Sequence, residues 1–570
     1  MATTHEAAEY FAWKSQGSNE SSIYTRPFGL LERCFYWDAR LEGTADVYQS
    51  SLIRVRPGTD PRSIFSQNQV HAAWVHTKRV HPLVGARIVV DEETGTLPSF
   101  VVEEEKLGKV GEGEVFFHDV ANPDEVQSIV DNLITAIPRP MSASQTTRMH
   151  IMFCNDGSNT IHVVSFAAHC IMDGIGNGCL LATFLDALTS DLARKVVPGL
   201  ERQLKVALPV DAVSPVQKLS PARRRWKLGI AAVISQIRAQ IIQGGHPLPR
   251  KYTTTTHYTP ASSQGMHLDL PPAISTTVIQ SCRRLGVTYG NAFYVILQVA
   301  LSRLLLRAHR RGEIPDEEWE FRKRQPMLTG GPLNMRPFLD KEWFESGGKE
   351  AVCISIGFLM LKLPFIPLGS ASLKPASEGE ATWDEFLSME RFVLRTRGVR
   401  SQMAQQLKHP LFHEIGNARL GGRGEGNRAL VGKYERDLRE RGGVERGEDV
   451  KVQEQAAIAP VFSCIGSTMG DLTAAHPTAY PLSTTPGTPP LIEVDSIKVR
   501  LHCRPTELYL GAVTNKGRLR FNVYWDGNCY EKRLIEEWVE EVKEATIWYL
   551  GGGREKALGL ASGKGGGPKL

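Results

Sequence analysis

Phe166-Ala167-Ala168-His169-Cys170-Ile171-Met172-Asp173-Gly174 is the stretch on which the reading of this chain turns. It closes a β-branched run, Thr160-Ile161-His162-Val163-Val164-Ser165-Phe166. It precedes Cys179-Leu180-Leu181-Ala182-Thr183-Phe184-Leu185-Asp186-Ala187-Leu188, a helix former with apolar residues on one face. Upstream, Met149 to Cys154 is a second apolar run. The turn formers Asn155-Asp156-Gly157-Ser158-Asn159 between the two runs predict a hairpin. His169 therefore stands where a strand gives way to a turn and then to a helix. Imidazole is the side chain whose unperturbed pKa lies near neutrality, so a His at the mouth of such a turn is a candidate general base. A His at a strand end also serves as a plain structural residue, and the local pattern alone does not separate the two roles. Gly174, Gly176 and Gly178 allow the backbone to turn tightly and a ligand to approach. They are not a dinucleotide fingerprint, because the rest of that pattern and its downstream acid are missing.

The spacing His169-x-x-x-Asp173-Gly174 between a strand and a helix resembles the active-site motif of the CoA-dependent acyltransferase superfamily. That superfamily includes plant BAHD acyltransferases, fungal trichothecene O-acetyltransferases, peptide-synthetase condensation domains and chloramphenicol acetyltransferase. Other segments fall in the family's order. Arg26-Pro27-Phe28-Gly29-Leu30-Leu31-Glu32 is similar to the opening of fungal members, and Val75 to Ala86 to the first helix with its His81-Pro82-Leu83 exit. Arg284 to Ala292 resembles the Gly-x-Thr segment, Leu333-Asn334-Met335-Arg336-Pro337 the Asn-x-Arg strand, and Pro460 to Gly466 the late Ser-x-x-Gly strand. The resemblance spans roughly residues 25 to 545. Two departures stand out: Ala168 occupies the place where condensation domains carry a first His, and the Asp-Phe-Gly-Trp-Gly motif of plant members is absent.

The resemblance implies an α/β (α+β) fold of two chloramphenicol-acetyltransferase-like domains, each a mixed sheet flanked by helices, with a substrate tunnel between them. It implies that His169 is the general base. Asp173 would be structural, pointing away from substrate and forming a bidentate pair with Arg336 that fixes the loop carrying the His. Gly174 would supply backbone freedom. Asn334, Thr288 and Ser463 are weaker candidates for polar contacts to substrate or CoA. The implied co-substrate is acyl-CoA, acetyl-CoA first, with no permanently bound cofactor and no metal. The implied reaction is O-acylation of a hydroxylated small molecule, a secondary metabolite such as a terpenoid or polyketide, by a monomer. Two alternatives stay open: a condensation-like enzyme taking its acyl group from a carrier-protein thioester, and a non-catalytic binding member of the fold.

Composition narrows the field. The 570 residues would suggest three or four domains by length, against the two large ones implied by the resemblance. A hydrophobic share of 42% and a charged share of 23% are those of an ordinary globular protein. A net charge of +5 does not argue for nucleic acid, although a locally basic cleft would suit an anionic co-substrate. The nine Cys include no Cys-x-x-Cys, so neither a zinc site nor a thioredoxin-type pair is indicated. Free thiols and the lack of a signal-like start at Met1 to Glu6 point to the cytoplasm. No G-x-S-x-G elbow, H-E-x-x-H or P-loop pattern is present.

Along the chain, 1–20 reads as loosely ordered, 21–215 as the first domain, 216–266 as a linker and 267–550 as the second domain. The linker holds Arg223-Arg224-Arg225-Trp226-Lys227 followed by Ile230, Val233, Ile234, Ile237 and Ile241 at helical spacing. A core-packed helix is the first reading of this segment and contact with a membrane surface the lesser one. Residues 421–454, rich in Gly, Arg and Glu, read as a mobile insertion, and 551–570 as a disordered tail. The apolar run from Tyr289 to His309 reads as a buried helix.

Overall fold

A computed structural model describes residues 8–16, 22–90, 97–136, 138–195, 197, 199–251, 260–372, 374, 379–440, 462–473, 475–482 and 488–557. In the first half, β1 (Val47–Val55), β2 (Val115–Val120), β3 (Thr147–Cys154) and β4 (Thr160–Ala167) lie in the order β1-β4-β3-β2. The predicted hairpin is β3–β4, antiparallel, while β2 runs parallel to β3. Nearly every residue of β4 is buried, so both sheet faces are covered. Covering apolar residues come from α1 (Leu30–Ala39), α2 (Gln67–Val80), α3 (Pro123–Thr135) and α4 (Gly174–Thr189). In α3 they are Val126, Val130 and Ile134, one stripe at helical spacing, and Asn122 caps the helix by accepting from the amides of Asp124 and Glu125.

The entry into α1 explains the Arg26–Glu32 segment. Arg26 makes a buried fork with Glu32, at 2.9 and 2.8 Å, and Glu32 also accepts from the Gly29 amide at 2.7 Å. The pair ties a small sheet, formed by Lys14–Gln16, Ile23–Pro27, Arg87–Val89 and Ser99–Glu103, to the start of the helix.

The second half carries β5 (Ser263–Asp269), β6 (Met327–Asn334), β7 (Ile356–Leu363), β8 (Thr468–Asp471), β9 (Ala479–Tyr480), β10 (Ile492–Leu501), β11 (Leu508–Asn515) and β12 (Arg518–Asp526). Its sheet has the order β8-β11-β12-β5. The β6–β7 pair joins it through parallel bridges at Leu328–Phe462 and Ile465–Tyr509. Its helices are α5 (Pro221–Ile241), α6 (Pro272–Arg284), α7 (Tyr289–Arg310), α8 (Met389–Leu407), α9 (Phe412–Asn417), α10 (Leu420–Glu440) and α11 (Lys532–Leu550). Helix α7 is long and apolar enough to cross a membrane, but 83% of its most apolar window is buried inside the fold. It packs against α8 and α11 as the central helix of the second core.

β9 and β10 leave the second unit. β10 pairs antiparallel with β1, from Ile492–Val55 to Leu501–Val47, and extends the first sheet to β9-β10-β1-β4-β3-β2. Tyr480, Ile492, Val494 and Ile497 join the first hydrophobic core, as do Met335, Leu339 and Trp343. Both segments lie within 267–550, the span read as the second domain, so the two units exchange chain.

Four segments depart from expectation. Of 421–454, residues up to 440 belong to α10, which packs on α1. Val431 and Tyr434 are buried with Leu41 and flanked by Leu430 and Leu438, a stripe that outweighs the polar composition. The remainder, 441–454, lies outside the described residues. Within 1–20, Lys14–Gln16 pairs with Ile23–Thr25, and within 551–570 Gly553–Ala557 is helical, with Arg554 held by Asp384 at 2.9 Å. Helix α5 is not core-packed over its apolar stripe. Ala231 and Ser235 are buried, and Ile230 and Ile234 meet Leu411 and Ile415, whereas Trp226, Val233, Ile237 and Ile241 are exposed.

Buried imidazoles give the fold a pH dependence. Burial lowers His81, His150 and His267 from 6.5 to about 3. It lowers His162, His246, His476 and His502 from 6.5 to about 4. The unfolded chain takes up these protons near pH 6.5 and the native chain does not. Their contribution is therefore complete above pH 6.5 and is lost as pH falls from there towards 4. Asp46 and Asp211, raised by burial to about 7 and about 6, act in the opposite sense but are outnumbered. We expect the urea midpoint to drop steeply between pH 6.5 and 4, each such His contributing at most about 1.4 kcal/mol per pH unit. A flat profile in that window would contradict the buried neutral state of these rings.

Candidate active site

β4 ends at Ala167, and the turn of residues 168–173 carries the chain into α4. His169 lies on this turn. Its Nδ1 is 2.7 Å from the Met172 carbonyl oxygen. A carbonyl only accepts, so Nδ1 carries the hydrogen, and in the neutral ring Nε2 keeps its lone pair. No hydrogen bond to Nε2 is present among the described residues. Burial lowers the ring from 6.5 to about 4; the Met172 carbonyl opposes that shift and the Arg504 guanidinium adds to it. The imidazole is therefore neutral across the neutral range, the state a general base requires.

Asp173 is the N-cap of α4, its Oδ1 accepting from the Gly176 amide at 2.9 Å. Its Oδ2 accepts from Arg336 Nη1 and from the Ser355 amide, both at 2.8 Å. Burial pushes this carboxyl up, but Arg336 and the two amides together hold it below the usual carboxylate range. Arg336 follows β6, and at 1% exposure it is as deeply buried as its partner at 2%. The pairing expected from the resemblance is present, but not as a two-point fork. Nη1 takes the carboxylate, and Nη2 donates to the carbonyls of Ala351 and Cys353, each at 2.9 Å. One guanidinium thereby joins the His169 turn to the loop between β6 and β7. The sequence carries no sign of this second pair of acceptors.

The weaker candidates serve as braces. Asn334 Oδ1 accepts from the Arg336 amide at 3.1 Å. Thr288 is the exposed N-cap of α7, bonded to Asn291. Ser463 Oγ donates to the His246 carbonyl at 2.8 Å. Among the described residues neither Thr288 nor Ser463 hydrogen-bonds the His169 turn. Gly174 does not occupy the left-handed region, so backbone freedom is not its reason. A Cβ there would lie 2.8 Å from Met469 Cε, so the glycine leaves room for a side chain of the second unit. Gly178 similarly faces the His476 ring.

Residues that sequence reasoning missed shape the other side of His169. Phe35 of α1 packs on the imidazole with ring centroids 4.1 Å apart, and the Arg504 guanidinium lies 5.3 Å from the Phe35 centroid. One turn along α1, Asp38 collects Arg504 at 3.0 Å, Arg423 of α10 at 3.0 Å and Asn427 of α10 at 2.7 Å. With this cover His169 is 6% exposed. Among the described residues no group of three or more His, Cys, Asp or Glu is placed to hold a metal ion.

No family model matches this sequence, and no curated protein matches it. Solved structures do match in fold. The trichothecene 15-O-acetyltransferase from Fusarium sporotrichioides superposes with a TM-score of 0.69 at 11% identity, covering 96% of this chain and 99% of that one. The condensation domain of the Monacolin K polyketide synthase MokA gives 0.54 at 13% identity, over 92% and 97%. Polyketide synthase associated protein 5 from Mycobacterium tuberculosis gives 0.51 at 12% identity, over 92% and 97%. At this level of identity the likeness is one of fold. The chain has the two-unit, chloramphenicol-acetyltransferase-like α/β architecture that these acyltransferase and condensation structures share.

Proposed function

We propose that this protein is an O-acyltransferase that moves an acyl group, acetyl first, from acyl-CoA to a hydroxyl of a small secondary metabolite such as a terpenoid or polyketide. The observation that carries this reading is the state of His169: a neutral ring with Nδ1–H committed to Met172 and the Nε2 lone pair left over, on a turn pinned by Arg336. Nε2 takes the proton of the acceptor hydroxyl as that oxygen attacks the thioester carbonyl carbon. The new C–O bond forms and the carbonyl electrons move onto oxygen. Collapse of the tetrahedral intermediate breaks the C–S bond, and the departing thiolate takes the proton from Nε2. His169 ends neutral, as it began, with no covalent enzyme intermediate. Holding both substrates against the ring supplies the rest of the acceleration. On this reading the substrates meet in a channel between the units, and Phe35 yields to admit them.

Likeness to a trichothecene acetyltransferase over nearly the whole chain supports a hydroxyl acceptor. Likeness to condensation domains supports a second reading, a carrier-protein donor, against which stands Ala168 in place of a first His. Thiol release separates them. We expect acetyl-CoA to lose its acyl group only when a hydroxylated terpenoid or polyketide is present. Release from a carrier-bound thioester alone would favour the second reading. Tight ligand binding with no turnover of either donor would leave a binding protein.

A further inference from the structure

We propose that α5 docks the protein on an anionic lipid surface. Its apolar stripe lacks cover: Trp226 is 72% exposed, Val233 57%, Ile237 50% and Ile241 58%. These are four of the nine exposed large hydrophobic residues among those described. On a wheel of 3.6 residues per turn, Trp226, Val233, Ile237 and Ile241 fall within a sector of about 80°, and the stripe runs about 22 Å along the axis. A stripe of that shape enters a lipid interface with the helix lying in the plane, its Trp at the level of the headgroups.

Charge selects the occupant. The helix carries Arg223, Arg224, Arg225, Lys227 and Arg238 and no acidic residue. Arg223 and Lys227 flank the stripe on one side and Arg225 on the other. Lys227 has Glu414 at 3.7 Å, and Arg224 donates to Gln217 at 2.6 Å; Arg223 and Arg225 are exposed. Helix stability does not account for an Arg triplet at this end, because cations are unfavourable at a helix N-terminus. A negatively charged lipid surface does account for it, since each basic residue near such a surface adds attraction. The opposite face is already fixed. Arg419 donates to Ser235 Oγ at 3.0 Å and to its carbonyl at 2.8 Å, and Ala231 and Ile234 rest on α9, as does Ile230, which lies beside the bare residues but is half-buried. The helix is thus held on one side and left bare on the other.

The test is co-sedimentation of the full chain with vesicles of phosphatidylcholine containing about a third phosphatidylserine, against pure phosphatidylcholine. We expect pelleting with the anionic vesicles that weakens with salt. Two double variants, Trp226→Ser with Ile237→Ser and Arg223→Glu with Arg225→Glu, should each lower partitioning about tenfold or more. Both pairs lie on the surface, and an unchanged urea midpoint confirms that each variant is folded. Failure of the wild type to pellet, equal pelleting with neutral vesicles, or wild-type pelleting by the folded variants would overturn the proposal. So would a lipid-free dimer that these substitutions split, since a second copy would then be what covers the stripe.

Discussion

Replacing His169 by alanine is expected to slow acyl transfer by about 10²- to 10⁴-fold, the usual worth of a positioned general base. The loss should fall on kcat, because the ring makes its bond to substrate only as the hydroxyl proton leaves. Alanine also empties the space beside Phe35, so a companion variant is needed to separate chemistry from packing. His169→Asn serves that purpose. Its amide can still donate to the Met172 carbonyl, preserving the tie at Nδ1, but it offers no basic nitrogen. Both variants should be equally slow while the asparagine form keeps more of the stability. In the wild type, kcat/KM should lose activity in acid with an apparent pKa near the lowered value of about 4 and not near 6.5. Initial rates taken just after a pH jump avoid the acid unfolding expected of the other buried histidines. Wild-type turnover by His169→Asn would end the assignment of His169 as the base.

What was legible in the sequence was mostly local. Asn155 to Asn159 between two β-branched runs marks the β3–β4 hairpin, because turn formers and period-two runs act over a few residues. The apolar run after Thr288 marks α7, and Thr288 itself caps that helix. Composition misled at α10, where the glycines and charges of 421–440 hide Leu430, Val431, Tyr434 and Leu438; their helical spacing was the signal that could have found the helix. The stripe of α5 was legible as a stripe, but nothing local says which of its residues meet α9 and which meet solvent. Long-range pairings were harder still. No alternation in Ile492–Leu501 names Val47–Val55 as its partner strand. Asp38 and Arg504 stand 466 positions apart, and a Phe on an amphipathic helix reads as core until the fold sets it on an imidazole. The Asp173–Arg336 contact, 163 positions apart, came through family resemblance and not through spacing.

That contact should be the costliest to break from one side. Removing either partner alone is expected to destabilise the fold by about 3–5 kcal/mol, because the survivor is left as an uncompensated buried charge. In Asp173→Asn the side chain has a single oxygen. Whichever way it turns, an amide NH₂ faces a donor: Arg336 Nη1 and the Ser355 amide on one side, or the Gly176 amide on the other. Arg336→Met fails differently. It strands the carbonyls of Ala351 and Cys353, and without the guanidinium the burial of Asp173 drives its carboxyl upward, so part of the loss should return as pH falls and that carboxyl takes a proton. The double variant removes both charges and should be less destabilised than the sum of the two, giving a favourable coupling in a double-mutant cycle read by urea unfolding. Turnover per folded molecule adds the functional half. The pair acts on chemistry only through the turn that holds His169, so Asp173→Asn should lower kcat even where the protein is fully folded. A wild-type urea midpoint in Asp173→Asn would mean that the pair does not hold the His169 turn against the loop between β6 and β7. A wild-type kcat in the folded variant would mean that the turn keeps its geometry without the pair.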